Sequence, residues 1–433
     1  MKPVRSLVVA MAVLVIFSSV LHAAEEYTFD ISETQKKPYH LGGYVEFRPV
    51  LSGLDQNAAL YNLRFYNRNE GRTVSEYNAA LQLEGSIEKG PAKLFVRMNV
   101  GYQDSYLGST LTTAAYEAFL SLRPAPSLMV DAGKRTFKWG KGYAWNPVAF
   151  VDRPKNPDEP DLNIEGFIAA SADYIRSFSG PLKTLSVTPV LVPVSERMND
   201  DFGESGHLNA AGKVYLLLYD TDIDFLFLSG GSRTSRYGLD FSRNITTNLE
   251  VHGEYARIDD FKQSLIASNG STRQTVSGVT NWLLGLRYLT EKDTTCILEY
   301  YRNGTGYTEK ELADYLAFVH SAHDSYLSSG SAALLQKAAA MAESYGKPNA
   351  GRSYVYLRVS QKEPFDILYW TPAATAIINA EDKSYSISPE ISYTGITNIE
   401  LRLKGTILAG NRLSEFGEKQ NNVRVELLAR YYF

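Results

Sequence analysis

NNVRVELLARYYF, residues 421–433, closes the chain and alternates without a break. Val423, Val425, Leu427, Ala429, Tyr431 and Phe433 fall on one side, and Asn422, Arg424, Glu426, Leu428, Arg430 and Tyr432 on the other. A repeat of two over this length is a β-strand with one apolar and one mostly polar face, because successive Cβ atoms of an extended chain point in opposite directions. The pattern recurs upstream. In NIELRLKGTILAG, Ile399, Leu401, Leu403, Gly405, Ile407 and Ala409 oppose Asn398, Glu400, Arg402, Lys404 and Thr406. In PAKLFVRMNVGY, Leu94, Val96, Met98, Val100 and Tyr102 oppose Lys93, Arg97 and Asn99. EYNAALQLEGSIE sets Tyr77, Ala79, Leu81, Leu83 and Ile87 against Glu76, Asn78, Gln82, Glu84 and Glu88.

The other end of the chain points to export. Lys2 and Arg5 precede an apolar run from Leu7 to Phe17, followed by Ser18, Ser19, Ala23 and Ala24. This is the layout of a secretory signal peptide, expected over 1–24 and cleaved near Ala24, with a core too short to span a bilayer. The remaining chain carries a single cysteine, Cys296, so an intramolecular disulfide is excluded in an oxidising compartment. No CxxCH and no Cys/His ligand cluster occurs, and no cofactor is expected. A net charge of -4 with a pI near 6.0 leaves no basic footprint for nucleic acid.

An exported chain ending in this way resembles the Gram-negative outer-membrane β-barrels. Their terminal strand carries a closing aromatic, preceded by apolar residues at alternate positions, that the barrel assembly machinery reads. The resemblance implies an all-β fold: a transmembrane antiparallel up-and-down β-barrel over residues 25–433, in the cell outer membrane and in contact with its lipids. No later run is apolar enough for a membrane helix, whereas a closed sheet satisfies every backbone group in lipid. The 29 tyrosines suit two interfacial girdles, and 44% hydrophobic content suits a wet interior. A soluble sandwich also alternates, but its strands are usually only about five or six residues long.

Short connections at 89–91, 124–127, 179–182, 220–222, 291–293, 363–364 and 395–398 read as periplasmic turns. Longer ones near 103–111, 136–165, 193–207, 258–276, 303–351 and 411–420 read as external loops. The count comes to about 18 strands, within roughly 16 to 20, a size that leaves an aqueous lumen unless a loop fills it.

Two of the long segments have content of their own. In 303–351, Thr308 and Glu311 form a capping-box pattern, with Leu312, Tyr315, Leu316, Val319 and Tyr326 following at helical spacing. Ala332 to Tyr345 reads as a second helix, and the pair as a lid over the mouth or a docking element. His320, His323 and Asp324 lie close in sequence, without a further ligand fixed by spacing.

The other segment begins with KWGKGYAWNP, residues 138–147. It is not a nucleotide loop: Gly133 and Gly140 are spaced too far apart, and no Ser or Thr follows Lys141. Phe137, Trp139, Tyr143, Trp145, Val148, Phe150 and Val151 want burial, and the barrel interior is where an external loop can find it. The segment resembles the Trp-Gly and Asn-Pro loops of several outer-membrane channel families. The constriction candidates are Arg135, Lys138, Trp139, Lys141, Trp145, Asp152 and Arg153. The tryptophans would anchor the loop, Gly140 and Gly142 would permit its turn, and Lys138 and Lys141 would face the solute.

Polar strand faces supply the lumen candidates Lys93, Arg97, Glu250, His252, Glu254, Arg402, Lys404, Arg424, Glu426 and Arg430. Both signs occur in similar number, so no selectivity follows. The expected function is a channel for passive diffusion of small hydrophilic solutes or ions. One alternative is a barrel sheathing a multihaem cytochrome. Another is a rim hydrolase built on His207 with Ser205 and Glu204, although GESG is not a G-x-S-x-G elbow.

Overall fold

A computed structural model describes residues 37–68 and 70–433; the expected signal peptide lies outside them. The described residues form one sheet of eighteen strands. The first nine are β1 (Tyr39–Leu54), β2 (Thr73–Lys89), β3 (Ala92–Ser105), β4 (Gly108–Ala125), β5 (Leu128–Arg135), β6 (Phe167–Ser177), β7 (Leu182–Val194), β8 (His207–Leu218) and β9 (Thr221–Ser229). The rest are β10 (Arg236–Asn244), β11 (Leu249–Ile266), β12 (Thr272–Leu289), β13 (Thr294–Arg302), β14 (Ser353–Gln361), β15 (Trp370–Asn379), β16 (Tyr385–Ile396), β17 (Ile399–Ala409) and β18 (Asn421–Tyr432).

Each strand pairs antiparallel with its neighbours in chain order, and β1 pairs with both β2 and β18, so the sheet closes without an edge. The seam is tight: Glu46 faces Arg430 in register, and Gly43 exchanges both backbone hydrogen bonds with Phe433, at 3.1 Å each. The alternation of the closing stretch maps onto the two barrel faces. Val423, Val425 and Leu427 are exposed on the outside, while Glu426 and Leu428 are buried on the inside.

The turns at one end are short: 90–91, 126–127, 178–181, 219–220, 245–248, 290–293 and 397–398. The turn after β14 is longer than Glu363 and Pro364 alone suggest, running from 362 to 369. At the other end, two loops are shorter than their sequences suggest. β3 and β4 meet across 106–107, and β11 and β12 across 267–271. The strands there run on past the apolar belt, where water bathes both faces and alternation no longer marks them. In β11 a bulge between Ile258 and Phe261, with Asp260 at positive φ, interrupts the pattern further.

Helices α1 (Ala59–Phe65), α2 (Glu309–Ser329) and α3 (Ala333–Tyr345) stand at the long-loop end. The capping box forms as expected, with Thr308 accepting from the Glu311 amide and Glu311 from the Thr308 amide. Leu312, Tyr315, Leu316 and Val319 bury their stripe against Leu265 and Ile266 of β11, Ala59 of α1 and Ala338 of α3. The helical loop thus lies across the mouth, from the β11 tip towards β1.

Candidate functional site

Residues 136–166 leave β5, fold into the ring and return to β6. Within it they touch β1, β2, β4, β9, β10, β11, β13 and β17, which is possible only from the lumen.

The root of the loop wraps its own amides around wall carboxylates. Glu254 of β11 accepts from the amides of Lys141 (2.6 Å), Gly142 (2.6 Å) and Val148 (3.2 Å). Glu299 of β13 accepts from the amides of Tyr143 and Ala144, and its other partner is His252 Nε2 at 2.9 Å. Asp152, within the loop, accepts from Phe137 and Trp139 at 2.7 and 3.0 Å. Burial raises the Asp152 pKa, while these amides and that of Lys138 pull it down. Such a curl needs glycine in two places. Gly140 has φ +99°, and a Cβ on Gly142 would collide with the Trp145 carbonyl oxygen.

Side chains bridge the lumen by charge. Lys141 Nζ lies 2.9 Å from Asp224 of β9 and 3.9 Å from Asp240 of β10. Burial opposes its charge, but these carboxylates prevail and raise its pKa. On the opposite side Glu159 receives Arg48 of β1 at 3.1 Å and Arg402 of β17 at 2.9 Å. Burial alone would raise the Glu159 pKa; Arg48, Arg402 and Lys404 overcome it and hold it below the usual range. Lys155 donates to the carbonyls of Gly142 and Tyr143, and burial lowers its pKa.

The wall is accordingly divided. Asp224, Asp240, Glu250, Glu254 and Glu299 lie on β9–β13 with Arg287 beside them, and the arc that runs on from the adjoining β14 round to β17, β18 and β1 on the far side carries Arg358, Arg402, Lys404, Arg424, Arg430 and Arg48 together with Glu46, Glu390 and Glu426. The basic arc is internally paired, with Arg430 on Glu46 (2.5 Å), Arg358 on Glu390 (2.5 Å) and Arg424 on Glu426 (2.8 Å).

Apolar packing fixes the rest. Trp139 is 2% exposed among Phe150, Phe167, Val190, Val192 and Val194, and Trp145 stacks on Tyr301 at 5.1 Å. Arg135 sits over the rings of Phe119 and Phe137 beside Asp131. Arg153 donates to the carbonyls of Glu165 and Gly166 and pairs with Asp201 at 2.7 Å. Among the seven constriction candidates Lys138 is the exposed one, whereas Lys141 is turned to the wall.

Among the lumen candidates, Arg97 bridges Glu84 and Glu117, Lys404 donates to the Asp158 carbonyl at 2.8 Å, Glu250 accepts from Ser242, and Lys93 pairs with Glu88. A cavity of about 220 Å³ remains between Gly140–Tyr143, Lys155 and the wall residues Glu250, His252 and Arg287. Another of about 630 Å³ lies inside β2–β5, lined among others by Lys93, Phe95, Phe119 and Arg135.

Asp224, Asp240, Glu299 and Arg48 are site residues that the sequence reading does not single out. One signal for the covered wall was present: the second half of β7 is apolar on both faces, with Val187 and Leu191 outside and Val190, Val192 and Val194 inside, whereas Ser186 and Thr188 lower on the inner face bond Asp173. A stretch of lumen face without polar residues is one that something packs against.

The other two clusters are not assembled as sites. Among the described residues no hydrogen bond joins His207 to Ser205 or Glu204, and Glu204 instead faces Lys262 at 3.9 Å. His320 is engaged by Glu418 at 3.0 Å.

A closed antiparallel barrel with an outward apolar belt and a loop folded into a charged lumen defines the class: the chain has the fold of bacterial outer-membrane porins. It is similar in structure to Acinetobacter baumannii OccAB1, with a TM-score of 0.51 at 10% identity over 91% of this chain and 96% of that one. It is similar also to Pseudomonas aeruginosa OccK11 (OpdR) and OccK5 (OpdH), each with a TM-score of 0.50, at 11% and 12% identity. These alignments cover 91% of this chain, and 96% and 98% of the respective neighbours. No protein-family model matches the chain, and no curated protein matches its sequence.

Proposed function

We propose that the chain is an outer-membrane channel for passive diffusion of small hydrophilic solutes or ions, with residues 136–166 setting its bore. The observation that carries this reading is the loop's attachment to opposite walls, at Asp224 through Lys141 and at Arg48 and Arg402 through Glu159. A solute crossing the barrel must pass beside a fixed, charged obstacle, and charge at a narrow point governs what permeates. The exposed Lys138 and the rims of Lys155 and Arg153 are the groups offered to it. Export through a cleaved 1–24 segment and insertion by the barrel assembly machinery are the route this reading requires.

A sheath around a multihaem cytochrome would need an unobstructed lumen, which the loop occupies. A rim hydrolase would need His207 joined to its neighbours. Neither alternative has an observation in its favour. Single-channel recording in planar bilayers tests the proposal. Deleting 139–158 should raise the conductance above that of the intact chain, and an unchanged conductance would reject the loop as the constriction.

A further inference from the structure

The turn between β14 and β15 differs from every other described turn at its end of the barrel. It runs over 362–369, where the other seven are two to four residues long. Its sequence, KEPFDILY, is followed by Trp370. Phe365 is 94% exposed, Ile367 53%, Leu368 59% and Tyr369 50%. Glu363, Phe365, Asp366 and Tyr369 all hold positive φ, a conformation that side chains other than glycine adopt at a cost. The backbone is therefore bent against preference into a shape that presents large apolar groups outward, while nothing in the described chain covers them.

A contiguous apolar cluster in that position has an interaction to make. Its continuity with the lipid-facing belt identifies the occupant. Trp370 begins β15 on the outer face and packs on Tyr393 of β16 at 4.8 Å between centroids. Tyr288, just before the neighbouring 290–293 turn, is likewise exposed outward. Aromatic side chains at this level form the interfacial girdle of a barrel, with the apolar part of each ring in the acyl region and its polar edge among headgroups. The turn extends that girdle by one step, and Lys362 beside it supplies a cation of the kind that pairs with lipid phosphate.

We infer that residues 364–369 form a membrane-interface anchor, inserting Phe365, Ile367 and Leu368 into the headgroup and upper acyl region of the leaflet at the short-turn end. The anchor fixes the depth and tilt of this sector of the barrel, independently of what the lumen conducts.

The test uses the full barrel with Cys296→Ser, refolded into phosphatidylethanolamine/phosphatidylglycerol vesicles. A polarity-sensitive fluorophore is attached at Phe365→Cys, and at Thr247→Cys on the 245–248 turn as the reference. Heat-shifted electrophoretic mobility verifies folding, and Ile367→Cys repeats the measurement should Phe365→Cys misfold. The expected result is blue-shifted emission from 365, quenched several-fold more by lipid brominated high on the acyl chain than by aqueous iodide, with the reverse order at 247. Equal iodide quenching at both sites would place the turn in water and overturn the proposal. Protection from both quenchers would assign the surface to a protein contact, such as a second copy, and overturn it equally.

Discussion

At the scale of single residues, the Lys- and Gly-rich stretch 138–147 looks like an anion-binding loop, and chemically it is one. Successive amides of such a loop converge on negative charge, a concavity that elsewhere holds phosphate. The anion is supplied by the barrel itself, as the carboxylate of Glu254. Glu254→Ala would leave the Lys141, Gly142 and Val148 amides without their acceptor, at about 1–3 kcal/mol for each buried group left unpaired. We expect a lowered unfolding midpoint in denaturant titration and a noisier, larger single-channel current, because the loop root is freed. Glu250→Ala, on the same strand face but bonded to Ser242 and facing His252 at 3.7 Å without accepting from any loop amide, should disturb both far less. Equal effects of the two substitutions would remove Glu254 from this role.

The elements at the mouth are joined by one buried carboxylate. Glu418, in the 410–420 loop, accepts from the Ala59 amide of α1 (2.5 Å), from the Leu413 amide (2.9 Å) and from His320 of α2 (3.0 Å). Burial would raise its pKa, but these donors prevail and hold it below the ordinary 4.5. A depressed carboxylate contributes stability that is present above its unfolded value and lost as pH falls through the folded one. The three loops should therefore stay docked from neutral pH down to about 4.5 and loosen below it, read as faster amide exchange at Ala59 and Leu413. Glu418→Gln should flatten that dependence; an acid transition unchanged in the variant would assign it elsewhere. The helices of this lid were legible in sequence because a capping box and a 3.6-residue stripe are local. The partner of His320 was not, since Glu418 lies 98 positions away and no periodicity connects them.

For the whole molecule, strand alternation was enough to read the barrel and its size, because one face meets lipid and the other, over most of the membrane-spanning strands, is polar. The inward course of the loop was legible from its aromatic content. The charge division of the lumen was not: counting signs along the chain gives near balance, and only closure of the ring sets β9–β13 opposite β17–β1. Glu159 is the loop's acid among the bases of that arc, shared by Arg48 and Arg402. Glu159→Gln should leave Arg402 without its carboxylate and Arg48 with only Glu46 and Glu426, and shift selectivity towards anions. Reversal potentials under a KCl gradient measure this, and a shift towards cations, or none, would contradict it.

The loop's two moorings also have a mechanical consequence. A ring of eighteen hydrogen-bonded strands resists stretching along its seams but is easily flattened into an ellipse, since that needs only small hinge changes between neighbours. A strut fastened at Asp224 on one side and at Arg48 and Arg402 on the other holds the diameter between them at one length. Lateral pressure from the bilayer then deforms the barrel chiefly across the unbraced axis, and the loop that bridges the lumen also keeps the ring round.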